Sequence, residues 1–243
     1  MNIIPIKNMC QVGLLRGSRG WGWYYRSKEM LKAKPAKESS IWTNPTGERS
    51  QVFLDIGEKD KQSNRVYIEL MDDVVPVTTQ NFKNLIQGTN GLCYKGCSLF
   101  DIRDHTCVCS GAVKGKNREG GFSSFNKKYF DDENFKLLHD KAGILTMMNA
   151  GVNTNSSLFA ISLNKLPHLN GKHVAFGHII KGYEIVEKLT QEFIVAGEPV
   201  QPIIIQDCGI LPKEQYITVE KEKPKEKSKE KKNTNKSNKK EKN

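Results

Sequence analysis

Five residues able to bind a transition metal lie within seventeen positions of one another. They are Cys93, Cys97, His105, Cys107 and Cys109. Thiolate and imidazole are the usual zinc ligands, but structural zinc sites generally use C-x-x-C pairs, and this chain has none. On a strand, His105, Cys107 and Cys109 would share one face because side chains alternate. We predict ordinary buried or half-buried thiols here, and neither a metal nor a cofactor.

A second candidate for chemistry is the glycine-rich basic run Lys-Gly-Lys-Asn-Arg-Glu-Gly-Gly at residues 114–121. Loops of this composition can hold phosphate through their backbone N–H groups. The run lacks the Walker spacing, and no helical pattern follows it. We predict a surface loop and assign it no nucleotide.

The two ends of the chain carry most of its charge. Residues 1–40 hold eight Lys or Arg against two Glu, and residues 220–243 hold eleven Lys against five Glu, so each end has a net charge of +6. The whole chain is at +11, which leaves residues 41–219 at −1. A body of about 180 residues suits one domain. We predict three regions: a basic, aromatic-containing extension (1–48), a globular domain (49–212) and a disordered Lys/Glu-rich tail (213–243).

Cysteine usage and the amino terminus bear on the compartment. Six cysteines without a secretory signal indicate a reducing environment, so we predict a cytoplasmic protein. The alternative is mitochondrial, because no acidic residue precedes Glu29 and acid-poor basic starts are typical of transit peptides. Against it, four glycines between residues 13 and 22 disfavour the amphipathic helix of such a signal. No run of ~18 apolar residues occurs, so no membrane span is predicted.

Hydrophobic periodicity indicates the elements that must position these groups. Two segments have helical spacing, 77–86 with Gly88 as its stop and 183–191. Eight short segments predict strands, at 51–56, 65–70, 98–102, 107–111, 144–148, 158–163, 174–180 and 202–208. Eight strands and two helices suggest a mainly β fold, a closed antiparallel barrel capped by the helices. Periodicity alone does not separate a barrel from a sandwich.

From about residue 51 to residue 211, a series of short motifs resembles the cyclophilins in order and spacing. The resemblance implies the eight-stranded antiparallel cyclophilin barrel and peptidyl-prolyl cis-trans isomerase (rotamase) activity in protein folding. A shared fold does not by itself establish a shared activity. The motifs are Val52-Phe-Leu-Asp-Ile56, Val75-Pro-Val-Thr-Thr-Gln-Asn-Phe82, Tyr94-Lys-Gly96, Phe130-Asp-Asp-Glu-Asn-Phe135, Asn149-Ala-Gly151, Asn153-Thr-Asn155, Asn170-Gly-Lys-His-Val-Ala-Phe-Gly177 and Asp207-Cys-Gly209.

The resemblance also implies a catalytic arginine, but this chain has a different residue at that position. The X-Pro bond isomerises over a barrier of ~18 to 20 kcal/mol, and a catalyst must stabilise the twisted state, in which the prolyl nitrogen accepts a hydrogen bond. Counted without gaps from Tyr94, the family's arginine position holds Asp101; with a one-residue shift it holds Ile102. Arg103 is a substitute only if a bulge swings it into place. We favour instead a pairing of Arg103 with Asp101 or Asp104.

Several other positions of the implied substrate pocket also lack the family's residue. The family's aromatic after the arginine falls on Thr106 or Cys107, and its glutamine on Cys109 or Ser110. A second glutamine falls on Leu158, the phenylalanine of the pocket floor on Ala160, and a tryptophan known for drug contact on His168. The positions that keep the family residue are Asn149, Phe159, Leu169 and His173.

Three functions remain open from the sequence. The first is an inactive or very weak isomerase, a pseudoenzyme that binds a protein or a proline-containing peptide as a scaffolding module. The second is a working prolyl isomerase. The third is a structural subunit of a ribonucleoprotein or organellar assembly, whose basic arms contact nucleic acid or an acidic surface. We also predict weak or no cyclosporin binding.

Overall fold

The computed structural model describes residues 40–43, 45–103, 105–192, 194–195, 198–199 and 201–217. Most of both predicted basic arms lies outside these ranges. Within them, no helix is long and apolar enough to cross a membrane.

The described residues form ten strands and three α-helices in the order expected from the periodicity. All eight predicted strands and both predicted helices are confirmed, with bounds that differ by a few residues. A short helix at the amino end, a two-residue strand pair and four 3₁₀ turns are additional. The helices are α1 (Ser40–Thr43), α2 (Pro76–Gln87) and α3 (Tyr183–Glu192); the strands are β1 (Gln51–Glu58), β2 (Asn64–Leu70), β3 (Phe100–Arg103), β4 (Cys107–Ser110), β5 (Ile144–Met147), β6 (Phe159–Ser162), β7 (Ala175–Lys181), β8 (Ile194–Val195), β9 (Glu198–Pro199) and β10 (Ile203–Ile210); the 3₁₀ turns are Thr89–Gly91, Asn117–Glu119, Pro167–Leu169 and Lys213–Gln215.

Eight of the strands form one antiparallel sheet in the order β10-β1-β2-β7-β5-β6-β4-β3. The prediction of a mainly β, eight-stranded antiparallel fold is therefore confirmed, but "closed" overstates it. The end strands β3 and β10 are not paired with each other as strands. The edges meet at a seam, which we define as residues 96–99 and 203–205, where the Gly96 and Leu99 N–H groups donate to β10 carbonyls and Ile205 donates back to the Cys97 carbonyl.

Helix α2 covers one end of the core, as its apolar spacing predicts. Its stop is Gly88, whose φ of 74° lies in the left-handed region that glycine adopts without strain. On its inner side, the Phe82 ring lies 4.9 Å from that of Tyr94, 5.3 Å from Phe159 and 5.0 Å from Phe176. This aromatic group fills the barrel interior next to the strands that carry the candidate site.

The amino-terminal segment packs on the barrel through Trp42 and Arg49. Trp42 is buried and meets His178 edge to face at 5.4 Å. The buried Arg49 guanidinium donates to the Ile41 and Trp42 carbonyls and pairs with Asp73 at 2.9 Å. Burial raises the pKa of Asp73, but the hydrogen bonds from Arg49 and Thr46 outweigh this effect and leave the pKa lowered. Arg49 thus connects α1 to the turn after β2.

Candidate functional site

A bulge in β3 shapes the centre of the candidate site. Phe100 pairs with Cys109 and Arg103 with Cys107, so Asp101 and Ile102 both lie opposite Val108. Asp101 has a φ of 48°, a left-handed conformation that aspartate tolerates better than most residues. Because of the bulge, Ile102 points into the main core while Asp101 and Arg103 are half-buried at the site. Of the two positions that alignment allows for the family's arginine, Asp101 is thus the one at the site.

Asp101 receives two guanidinium groups. The Arg103 Nε donates to Asp101 Oδ1 at 3.1 Å, and an Arg103 terminal nitrogen lies 3.4 Å from Oδ2. Arg118, on the turn Asn117–Glu119, pairs with Oδ2 of the same carboxylate. The bulge considered from sequence is therefore present, and so is the pairing of Arg103 with Asp101. The two cations are directed at a side chain of the protein itself.

A small apolar cluster, separate from the main core, lies beside this charged group. We call it the floor cluster. Its buried members are Phe100, Cys109 and Ala160. Its aromatic ring comes from Phe100, a residue that the sequence comparison used only to fix the register. The members at the edge are half-buried: Cys107, Ala112, Met148 and Leu158.

Phe159 differs from the expectation that it lines the peptide surface. It lies inside the barrel, 1% exposed, with its ring 5.2 Å from that of Tyr94. The reason is strand alternation, because Leu158 and Ala160 on either side of it point toward the floor cluster. Phe159 supports the site from within.

Cys107 and Cys109 lie on the same face of β4, as their spacing predicts. The neighbouring Cys109 thiol lowers the pKa of Cys107, and the nearby Arg103 guanidinium acts in the same direction. Cys107, together with burial, raises the pKa of Cys109. The pair therefore places a thiol with increased thiolate character beside Asp101.

The other candidate positions lie on the loop that leads into β7 and beside it. The Asn149 side-chain amide donates to the Lys172 carbonyl at 2.9 Å, which fixes the asparagine at the edge of the site. His173 is buried, its Nδ1 lies 3.0 Å from the Met147 carbonyl oxygen, and burial lowers its pKa to about 4. It is therefore neutral near pH 7 and supports the loop. Two residues of the turn Pro167–Leu169 complete these positions, the exposed His168 and the half-buried Leu169.

The five thiol and imidazole groups considered as metal ligands do not converge. Among the described residues, no group of three or more His, Cys, Asp or Glu side chains is arranged to hold a metal ion. Cys97 packs in the main core near β10, while His105 is exposed in the turn between β3 and β4. Thr106, from the same turn, is half-buried and donates its N–H to the Arg103 carbonyl at 2.9 Å.

Sequence reasoning missed three residues that shape the site: Phe100, Met148 and Arg118. The signal for Arg118 was indirect. An aspartate on a short strand next to buried residues needs a cationic partner, and the run at 114–121 was the nearest basic segment in the sequence. That run forms a 3₁₀ turn, and the Lys114 ammonium lies 3.6 Å from the centre of the Phe122 ring.

Comparison with known proteins decides the family. The model of the family described as "Cyclophilin type peptidyl-prolyl cis-trans isomerase/CLD" matches residues 53–210. The chain belongs to this family. It is also 38% identical over 185 residues to peptidyl-prolyl cis-trans isomerase D of the yeast Kluyveromyces lactis. The alignment covers 72% of this chain and 49% of the relative, so the cyclophilin described here spans about half the length of the curated relative it matches.

Membership of the cyclophilin family suggests protein or peptide binding at the barrel. In this cyclophilin, the candidate surface brings the carboxylate of Asp101 close to the cysteines of the floor cluster. An ionised carboxylate accepts hydrogen bonds but cannot donate one. The chemistry of the site therefore depends on whether a cation is available beside Asp101.

Proposed function

We propose that this cyclophilin binds proline-containing segments of proteins without efficiently isomerising them, and so acts as a binding or scaffolding module. The observation that carries the proposal is the ion-pair group at Asp101. The twisted X-Pro bond needs a hydrogen-bond donor aimed at its nitrogen. Here the site offers a carboxylate, toward which Arg103 and Arg118 direct N–H groups.

The floor cluster supports a retained but weakened affinity. Ala160, and Thr106 or Cys107, replace aromatic side chains of the family pattern, so a proline ring would contact less apolar surface. At ~25 cal/mol per Å², the loss of two aromatic side chains removes several kcal/mol of contact. Asn149 and Leu169 remain at the edge, and Phe100 supplies one aromatic ring to the floor.

A chymotrypsin-coupled assay with a proline-containing peptide anilide tests the proposal, because the protease cleaves only the trans form. We expect kcat/KM to be lower than that of an ordinary cyclophilin by on the order of 10²- to 10³-fold, the cost of removing one aimed donor from an active site. Catalysis at the level of an ordinary cyclophilin would contradict the proposal.

The alternative is a working prolyl isomerase that assists protein folding, and the bulge in β3 favours it. The bulge brings Arg103 beside Cys107 at the edge of the floor cluster, where its guanidinium is the nearest candidate donor on β3. In that case Arg103→Ala abolishes the activity measured in the coupled assay. The matched control is Arg65→Ala, which removes an arginine that pairs with Asp55 on the β1–β2 face.

Cyclosporin should bind weakly or not at all. The family's floor phenylalanine and drug-contacting tryptophan are replaced by Ala160 and the exposed His168, and no aromatic residue stands at Thr106. Two lost aromatic contacts at about 1.5–3 kcal/mol each predict binding weaker by on the order of 100-fold or more. Titration calorimetry measures it, and an Ala160→Phe/His168→Trp double variant should regain affinity. Tight binding by the wild-type chain would show that the pocket is intact.

The ribonucleoprotein alternative depends on the basic arms, most of which lies outside the described residues. If the arms bind RNA, affinity falls steeply with added salt and disappears when residues 1–39 and 218–243 are removed. Equal binding by the trimmed protein would exclude the arms as the RNA site. The cytoplasmic compartment also stays a prediction.

A further inference from the structure

Two cysteines that are distant in sequence meet next to the seam. Cys93 lies in the loop between α2 and β3, and Cys208 lies on β10. Both thiols point at one oxygen, the carbonyl of Ile86, at 3.7 Å and 3.5 Å. Cys93 also acts electrostatically on the Cys208 thiol. Because the two thiols share one acceptor, they lie next to each other on the two sides of the seam.

The surroundings of Cys93 are polar and accessible. The Lys95 backbone N–H donates to Cys93 Sγ at 3.3 Å, and the Lys95 ammonium, paired with Asp207 at 3.0 Å, is close enough to interact with both thiols. Cys93 is also half-buried, so a small oxidant reaches it from solvent.

Cys208 is placed to react second. It is half-buried, and burial together with the neighbouring Cys93 raises its pKa to about 12, so it stays a thiol until its partner is oxidised. Cys97 is the nearest competitor, but it is buried, and its thiol donates to the backbone carbonyl of Cys93 at 3.6 Å. Burial also raises the pKa of Cys97 to about 12.

We propose that Cys93 and Cys208 are a site of reversible oxidation by hydrogen peroxide, and that they form a disulfide across the seam. The Cys93 thiolate attacks one peroxide oxygen, the O–O bond breaks, and the departing oxygen leaves as water after taking up a proton. The resulting Cys93 sulfenic acid is attacked by the Cys208 sulfur, whose proton leaves with the hydroxyl as a second water. In total two thiols lose two electrons and one peroxide molecule becomes two waters.

The disulfide has a structural consequence because of where it lies. The seam is held by backbone hydrogen bonds between residues 96–99 and 203–205. Cys93 precedes the first segment and Cys208 follows the second, so the cross-link would join the two edges of the incompletely closed barrel. The segment that becomes fixed leads directly into β3 and Asp101.

Peptide mapping of the full chain tests the proposal. The reduced protein is treated with a small excess of hydrogen peroxide, remaining thiols are alkylated, and the chain is digested with trypsin without reduction. Cleavage after Lys95 separates Cys93 from Cys97, which makes the assignment unambiguous. The cysteines fall in tryptic peptides 8–16 (Cys10), 84–95 (Cys93), 96–103 (Cys97), 104–114 (Cys107 and Cys109) and 189–213 (Cys208).

We expect a cross-link between peptides 84–95 and 189–213 to be the main product, and a thiol reductant to remove it. The variant Cys208→Ala should lose the cross-link and accumulate a sulfenic acid on Cys93, whereas Cys97→Ala should leave the cross-link unchanged. The proposal is overturned if peptide 84–95 is instead linked to peptide 96–103 or 104–114, or if Cys93 is the last cysteine to be oxidised.

Discussion

Replacing Asp101 with asparagine should raise the isomerase activity of this cyclophilin about 10- to 100-fold. The substitution removes the charge that holds Arg103 and Arg118, and asparagine tolerates the φ of 48° at this position. A hydrogen bond to the prolyl nitrogen from a guanidinium that no longer pairs with Asp101 is worth about 1.5 to 3 kcal/mol, which corresponds to that range of rates. The chymotrypsin-coupled assay measures it.

Two further variants identify the group that is responsible for any gain in rate. The triple variant Asp101→Asn/Arg103→Ala/Arg118→Ala should fall back to the wild-type rate if a guanidinium is the donor. Glu119→Gln is the matched control, because it removes a neighbouring negative charge from the turn Asn117–Glu119. If the Asp101→Asn variant has the wild-type rate, pairing with the carboxylate is not what keeps the guanidinium groups from the prolyl nitrogen.

The second large effect concerns stability and depends on Arg49. We expect Arg49→Met to lower the free energy of unfolding by about 3 to 5 kcal/mol, because it leaves the buried Asp73 carboxylate without its cation. It also removes the donors to the Ile41 and Trp42 carbonyls, so α1 loses its attachment to the barrel. Urea unfolding followed by Trp fluorescence measures the change.

A double-variant cycle separates the ion pair from the loss of packing. Asp73→Asn in the Arg49→Met background should recover part of the loss, since no unpaired charge then remains buried. Lys213→Met serves as the control, because the Lys213–Glu48 pair is exposed and should contribute nothing measurable. An Arg49→Met variant as stable as the control would contradict the role assigned to this pair.

The strands and the two predicted helices followed from patterns that are local in the sequence. Alternation of apolar residues in β1 and β2, helical spacing in α2 and the glycine that ends it are each set by neighbouring positions. The sheet order joins segments that are far apart in sequence, and here the resemblance to the cyclophilins supplied what periodicity could not. The incomplete closure at the seam depends on backbone hydrogen bonds, which leave no mark in the sequence.

The candidate site was only partly predictable for a related physical reason. The substitutions at Asp101, Cys109, Leu158 and Ala160 were visible by alignment, and the last three do pack in one cluster. The bulge adds one residue to β3 and so decides that Asp101, rather than Ile102, reaches the site. Arg118 comes from a separate loop, and no local pattern indicates that it pairs with Asp101.

The central claim is that the protein binds a proline-containing peptide without catalysing its isomerisation. NMR exchange spectroscopy tests binding and catalysis in one sample. A proline-containing peptide with resolved cis and trans signals is titrated with the protein. We predict that its signals shift or broaden as it binds, while no cis–trans exchange cross-peaks appear. Strong exchange cross-peaks at catalytic protein concentrations, or a peptide that does not bind at all, would contradict the account.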